Sequence, residues 1–327
     1  MIAYESAGSV FALTENAELL LHDGASDAPL WRFTLDSKIV GVGLDTQDVV
    51  AVTDTGNVSW FAAKTKGDAK RTAKLGTHVQ AACIDVANDR IVALTANGIV
   101  RHAGGTTQTI AENAATCIAL APDGATLFAT ANEVVVLGVD GTRKATATAG
   151  VRAAAWHPGA KGWLLGVEAA VLKWDGNNQV THVTNLPAGS KLDFLAASTW
   201  AIAIGWNRNM VAALDWPSRD TLGTLRYLER KVEGIAFGPW PWLGVGLDLG
   251  DGNKLNLESI ALHRSDTHPG REHHRWMVSV GGKSDDDKPR AAPPRPAPVP
   301  PPARTGFPVA GLAIAAAIVI AVVIAMR

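Results

Sequence analysis

Cysteine is almost absent from this chain: Cys83 and Cys117 are the only two in 327 residues, and each sits inside an apolar stretch. Two such thiols exclude a disulfide framework and suit a reducing compartment, where they read as inert packing residues. An excess of positive charge is also missing. There are 30 Lys+Arg against 31 Asp+Glu; residues 283–327 hold six of the former and three of the latter, which leaves residues 1–282 with 24 against 28, a net charge of −4. A mildly acidic body excludes general nucleic-acid binding, which needs a basic footprint. Neither G-x-x-x-x-G-K-[ST] nor G-x-G-x-x-G occurs in a phosphate-cradling context. The glycine-rich GVGLDLGDG (244–252) leads into another apolar strand rather than a helix. The first residues, MIAYESAGSV, lack a basic n-region and an apolar run of signal length, and Glu5 interrupts them, so no export signal is read there.

What the chain does have is an apolar end. Val309 to Met326 reads VAGLAIAAAIVIAVVIAM, eighteen residues without a charge, followed by Arg327. At 1.5 Å per residue a helix of that length spans about 27 Å, close to the hydrocarbon thickness of a bilayer. Lys288, Arg290, Arg295 and Arg304 precede it and only Arg327 follows, so the positive-inside tendency puts the preceding chain in the cytoplasm. The expected location is the inner (plasma) membrane, crossed once. Ala313, Ala317, Ala321 and Ala325 recur every four residues and make a small-residue stripe on which two such helices could pack as a homodimer. Residues 283–308 contain nine prolines. They form no core and favour an extended spacer, about 60 Å for twenty residues.

The body repeats itself. A short apolar stretch, a tight polar turn and a second apolar stretch recur as VFALTENAELLL (10–21), VVAVTDTGNVSWF (49–61), IVALTANGIVRH (91–102) and LFATANEVVVLGV (127–139), with weaker copies at 163–175, 201–214 and 242–257. The turn centres lie 35 to 44 residues apart, giving seven copies. Turn residues such as Asn97-Gly98 supply the positive φ that a tight reversal needs. A further apolar strand precedes each hairpin, as in IVGVGLD (39–45) and VRAAAWH (151–157), and a fourth follows most of them, as in RTAKL (71–75) and VTHVTNL (180–186). Four short strands every forty residues is the pattern of a propeller blade. Ile2–Tyr4 is expected either as the first unit's innermost strand or as a partner of the last unit that closes the ring. The longer insertions, GASDAP (24–29), AAKTKGDA (62–69), WPSRDTLG (216–223), GPWPW (238–242) and the His-rich segment after residue 261, all belong to one face of such a ring.

Two segments carry a family resemblance. LAPDGATLFATANEVVVLGVDG (120–141) has a Pro-Asp-Gly turn between its first two strands, and HPGAKGWLLGVEAAVLKWDGN (157–177) carries Trp174-Asp175 at the end of a third strand. Both resemble the WD-repeat pattern, although the Gly-His dipeptide is absent and Trp-Asp occurs once. The resemblance implies a β-propeller over residues 1–282. An Ala/Trp-rich propeller with a membrane tail is also similar to bpX, the propeller component of bacterial MoxR–vWA–β-propeller systems. That likeness implies a MoxR-type AAA ATPase and a von Willebrand A protein as partners. The expected fold is thus all-β: a seven-bladed β-propeller (1–282), a disordered proline-rich linker (283–308) and one C-terminal transmembrane α-helix (309–326).

Candidate contact residues follow from composition. Trp240 and Trp242 in GPWPW read as rigid aromatics on a proline-held loop. His263, His268, Arg271, His273 and His274 cluster in LHRSDTHPGREHHRW, read as an exposed loop between the last unit's outer strands. Those histidines could make a zinc site with Asp266 and Glu272, but their spacing matches no paired-ligand scheme. Trp60 and Trp174, near third-strand ends, read as packing between units. The strands entering the centre show no recurring acid or histidine. The expected function is a membrane-tethered, non-catalytic protein-interaction scaffold with no cofactor. The alternative is a propeller enzyme of the metal-dependent hydrolase type, or a ligand sensor, at the membrane.

Overall fold

Both faces of the body's second and third strands are apolar, so each must be covered by a neighbour on either side. A computed structural model describes residues 1–4, 10–23, 29–111, 115–177, 179–228, 230–238, 242–248, 254–261 and 273–279, with backbone alone for Tyr4, 254–261 and 273–279. The chain divides into two units, Met1–Asp287 and Lys288–Arg327, and every described residue belongs to the first. The linker at 283–308, the apolar segment 309–326 and its alanine stripe lie outside the described residues. Among the described residues no helix is long and apolar enough to cross a membrane.

The strands form four-stranded antiparallel sheets, each built from consecutive strands. The first sheet holds β1 (Ile2–Tyr4), β2 (Phe11–Glu15), β3 (Glu18–His22) and β4 (Trp31–Thr34); the second β5 (Ile39–Leu44), β6 (Asp48–Thr53), β7 (Asn57–Ala62) and β8 (Arg71–Lys74). The third holds β9 (Val79–Asp85), β10 (Arg90–Thr95), β11 (Gly98–Ala103) and β12 (Thr106–Ala111); the fourth β13 (Cys117–Leu120), β14 (Thr126–Ala129), β15 (Val134–Leu137) and β16 (Arg143–Thr146). The fifth holds β17 (Ala153–His157), β18 (Gly162–Gly166), β19 (Ala170–Trp174) and β20 (Val180–Asn185); the sixth β21 (Leu192–Ala197), β22 (Ala201–Trp206), β23 (Met210–Asp215) and β24 (Thr221–Arg226). A last sheet comprises β25 (Lys231–Phe237), β26 (Trp242–Asp248), β27 (Lys254–Ala261) and β28 (His273–Ser279). First strands contact first strands around the ring: β1 meets β5, β5 meets β9, and so on to β25, which meets β1. The fold is an all-β propeller. β1 pairs with β2 inside the first sheet, so it is that sheet's innermost strand.

Side-chain alternation explains the packing. In β6, Val49 and Ala51 enter a core shared with Leu19, Leu21 and Trp31 of the first sheet. Val50 and Val52 of the same strand enter the next core, with Ile91 and Ala93 of the third. The period of two thus feeds two different interfaces, and equivalent cores lie between the later sheets. Trp60 and Trp174 are buried in such inter-sheet cores, as their positions in the repeat predict. Outer strands are the exception. RTAK of β8 and RKAT of β16 are largely exposed, and such charged edges discourage pairing with another chain.

The innermost strands approach closely. A Cβ on Gly41 would lie 2.6 Å from Ala82 Cβ, and one on Gly43 would lie 2.8 Å from Ile84 Cγ2. Glycine at these two positions is what lets β5 and β9 pack. Four innermost strands also carry a bulge near their start, where Val40, Gln80, Asp193 and Glu233 are the extra residues. Two of these meet one arginine: Arg208 donates its backbone N–H to Asp193 at 2.6 Å and its Nη2 lies 3.4 Å from Glu233.

Several local expectations change. Gly98 has the expected positive φ, 132°, but it opens β11, so the reversal itself is Ala96-Asn97, and Asn97 N donates to Thr95 Oγ1 at 3.2 Å. Left-handed turn residues elsewhere include Asn16, Asn207 and Arg208 rather than glycine. The insertion read as 216–223 ends at Asp220, because Thr221 to Gly223 belong to β24 and pair with Leu214 and Ala213.

Candidate functional site

First strands run toward the face that carries the first-to-second connections. Where β9, β13 and β17 end side by side, a cleft of about 420 Å³ opens. Cys83, Ile84 and Asp85 come from β9, Ala119 to Pro122 from the end of β13, and Ala154 to Trp156 with Pro158 from β17 and its turn. The wall is mostly small and apolar because close approach of first strands tolerates little else. Trp156 is the exception; it is half-buried, and its ring stands edge-on to Trp163 at 5.0 Å. Pro122 and Pro158 give the rim a fixed shape at low entropic cost. Ala121 N and Ala125 O hydrogen-bond across the Pro-Asp-Gly turn at 2.9 Å, and Asp123 accepts the Ala125 N–H at 2.9 Å.

The titratable groups of the cleft differ in kind. Burial pushes the Cys83 thiol up to about 12, with a smaller contribution from Cys117, and its Sγ lies 3.5 Å from Ile118 O. Cys117 is raised to about 11, again by burial. Both thiols are therefore neutral and poor nucleophiles. Asp85 accepts from Asn88 Nδ2 at 2.8 Å and from Asn88 N at 3.3 Å. Opposite it in the β-ladder, Arg90 donates its Nη1 to Pro122 O at 2.8 Å.

Beside the cleft lies a second cluster, between the fifth and sixth sheets. His157 is fully buried and accepts from Ala160 N at Nδ1, 3.2 Å away, while its ring centroid lies 4.5 Å from that of Trp216. That acceptor role leaves the ring proton on Nε2. Burial first, and Lys173 second, lower its pKa to about 4. Lys173 Nζ and the Arg219 guanidinium carbon stand 6.0 and 5.9 Å from the Trp216 ring.

The residues singled out from sequence fall elsewhere. Trp240, His263, His268 and Arg271 lie outside the described residues. Trp242 is not on a loop: it begins β26, pairs with Ala261 and is half-buried. The prolines of GPWPW end at residue 241, after which the backbone is free to join the ladder. His273 and His274 likewise open β28, paired with Ile260 and Ser259, so they are strand residues and not part of an exposed loop. Among the described residues no group of three or more His, Cys, Asp or Glu is placed to hold a metal. The sequence reading missed Asp85 and Trp156. Asp85 ends β9 and Asp45 directly follows β5, an acidic recurrence visible in IVGVGLD and VQAACID.

No protein-family model matches the chain, and no curated protein matches it. Its kinship rests on architecture: a ring of small four-stranded antiparallel sheets makes this chain a β-propeller.

Proposed function

We propose that this chain is a non-catalytic protein-interaction scaffold held at the cytoplasmic side of a bacterial inner membrane. In this reading seven blades form the ring, residues 283–308 are the spacer and residues 309–326 the single transmembrane helix. The observation that carries the scaffold reading is the propeller itself, a rigid ring that gathers a cleft and several insertions on one face. The membrane reading is supported by the uncharged run from Val309 to Met326 and the basic residues before it. The partners implied by the resemblance are a MoxR-type AAA ATPase and a von Willebrand A protein, with a second copy of the chain through the Ala313–Ala325 stripe.

Two measurements test this. The full chain should resist alkaline extraction from membranes, and Ile318→Lys with Val322→Lys should release it, because each central lysine costs about 3 kcal/mol of insertion. Cross-linking in intact cells followed by capture should yield a protein partner. Extraction of the unaltered chain at high pH refutes the anchor. Metal-dependent hydrolysis lost on His273→Ala replaces the scaffold with the enzyme reading.

A further inference from the structure

We propose that the cleft at the ends of β9, β13 and β17 receives a basic side chain, arginine or lysine, from an extended segment of a protein partner. The inference deepens the scaffold reading and rests on it for the partner being a protein.

The chemistry of the wall selects the ligand. A volume of about 420 Å³ lies in the lower part of the range for specific pockets and suits one or two side chains rather than a domain. Alanines, Ile84 and Leu120 offer no side-chain donor or acceptor, so the surface rewards apolar contact. Trp156 adds a partly exposed aromatic face, and the two prolines keep the rim rigid. Against this wall stands one carboxylate, Asp85, hydrogen-bonded by Asn88. A carboxylate offers about four acceptor positions, so two stay open. Asp89, four residues on, is paired with Arg71 instead. Arg90, opposite Asp85 in the ladder, donates to the Pro122 carbonyl and makes no ion pair with Asp85.

Three ligand types can be compared. An uncharged apolar group would cover Asp85 and leave its charge with only the Asn88 hydrogen bonds, at a cost in desolvation. An anion would meet Asp85 directly. A basic side chain satisfies both features: its methylene stem lies on the alanines and prolines, its head reaches Asp85, and a guanidinium can stack on Trp156. The cleft is open toward the loop face, which admits a chain passing across the mouth rather than a ligand that must be enclosed.

The test uses the full chain in detergent, with isotope-labelled methyl groups on isoleucine and alanine; Ile84 and Ala154 report from the cleft wall. The probe is acetyl-Ala-Arg-Ala-amide, compared with the same peptide carrying citrulline, which keeps the shape and removes the charge. Saturable shifts of the Ile84 methyl are expected, with the citrulline peptide weaker by about fivefold. Asp85→Asn should erase the difference between the two peptides. Absence of saturable shifts, equal binding of both peptides, or an Asp85→Asn protein that still discriminates overturns the proposal. n-Butylamine binding as tightly as the arginine peptide also overturns it, in favour of a free amine. If cross-linking in cells captures the same partner with Asp85→Asn as without it, the scaffold stands and the cleft is not its contact.

Discussion

Arg71 of the second sheet grips Asp89 of the third through both terminal guanidinium nitrogens. The guanidinium carbon also stands over the ring of Trp60, its ladder partner in the second sheet, 3.9 Å from the ring centre, so one side chain packs on its own sheet and reaches the next by charge. The Arg71 hydrogen bond, first among the causes, holds the Asp89 carboxyl below its ordinary value.

This pair predicts a modest, pH-dependent contribution. A carboxylate with a depressed folded pKa stabilises above its ordinary value near 3.8, and the contribution is lost as pH falls through the lower folded value. Both groups are partly solvated, with side-chain exposures of 44% and 32%, so the coupling is small. A double-mutant cycle with Arg71→Ala and Asp89→Ala, read by urea unfolding at neutral pH, should give about 0.5–1 kcal/mol. A coupling of zero at neutral pH would show that the fork contributes nothing.

His157 titrates in the opposite sense. Its folded pKa, about 4, lies below the ordinary 6.5, so the buried neutral ring contributes fully above 6.5 and progressively less as pH falls toward 4. Between those limits stability should drop by roughly 3 kcal/mol at most. His157→Phe keeps a ring against Trp216 and cannot be protonated. Its stability curve should be flatter over that interval, and an unchanged slope would assign the effect to another group.

Close packing of the first strands makes two glycine substitutions unequal. Gly41→Ala forces a methyl within 2.6 Å of Ala82 Cβ and should cost about 1–3 kcal/mol. Gly67→Ala meets nothing within 4 Å and should be neutral or slightly stabilising, by up to about 1 kcal/mol. Equal effects in thermal unfolding would argue against the tight β5–β9 contact.

Cys83 lines the cleft yet should not react. With its thiol raised to about 12, the thiolate fraction at pH 8 is on the order of one in ten thousand. Alkylation by iodoacetamide should be slow in the native chain and fast in urea. Rapid native labelling, located by mass spectrometry, would contradict the apolar setting of β9.

Much of the ring is legible in the residues, for a clear reason. Strands buried on both sides read as unbroken apolar runs, such as DVVAVT and AIAIGW, and the turns between them fall at regular spacing. Outer strands are harder to see. TLGTLR of β24 is half-exposed and polar, and it blends into the preceding insertion. Trp242 and His273 look like loop because prolines lie just before them in the chain, yet each opens a strand. Asp85 and Trp156 lie 71 positions apart in the chain. Only the ring brings their strands to one cleft, and no local pattern announces that.

The arrangement of β1 has a mechanical consequence. Since β1 completes its own sheet and abuts β25, no backbone ladder among the described residues spans the junction of first and last sheets. Ile2 fills that junction, with its Cγ2 3.2 Å from where a Cβ of Gly234 would stand. Sheets meet through side-chain packing, with isolated backbone hydrogen bonds such as Ile39 N to Asn16 O, Val79 N to Asp54 O and Val232 N to Arg208 O, rather than through strand ladders. A circular permutant opened at a sheet-to-sheet connection would break no strand pairing, and a pulling force would part the ring at whichever boundary is weakest.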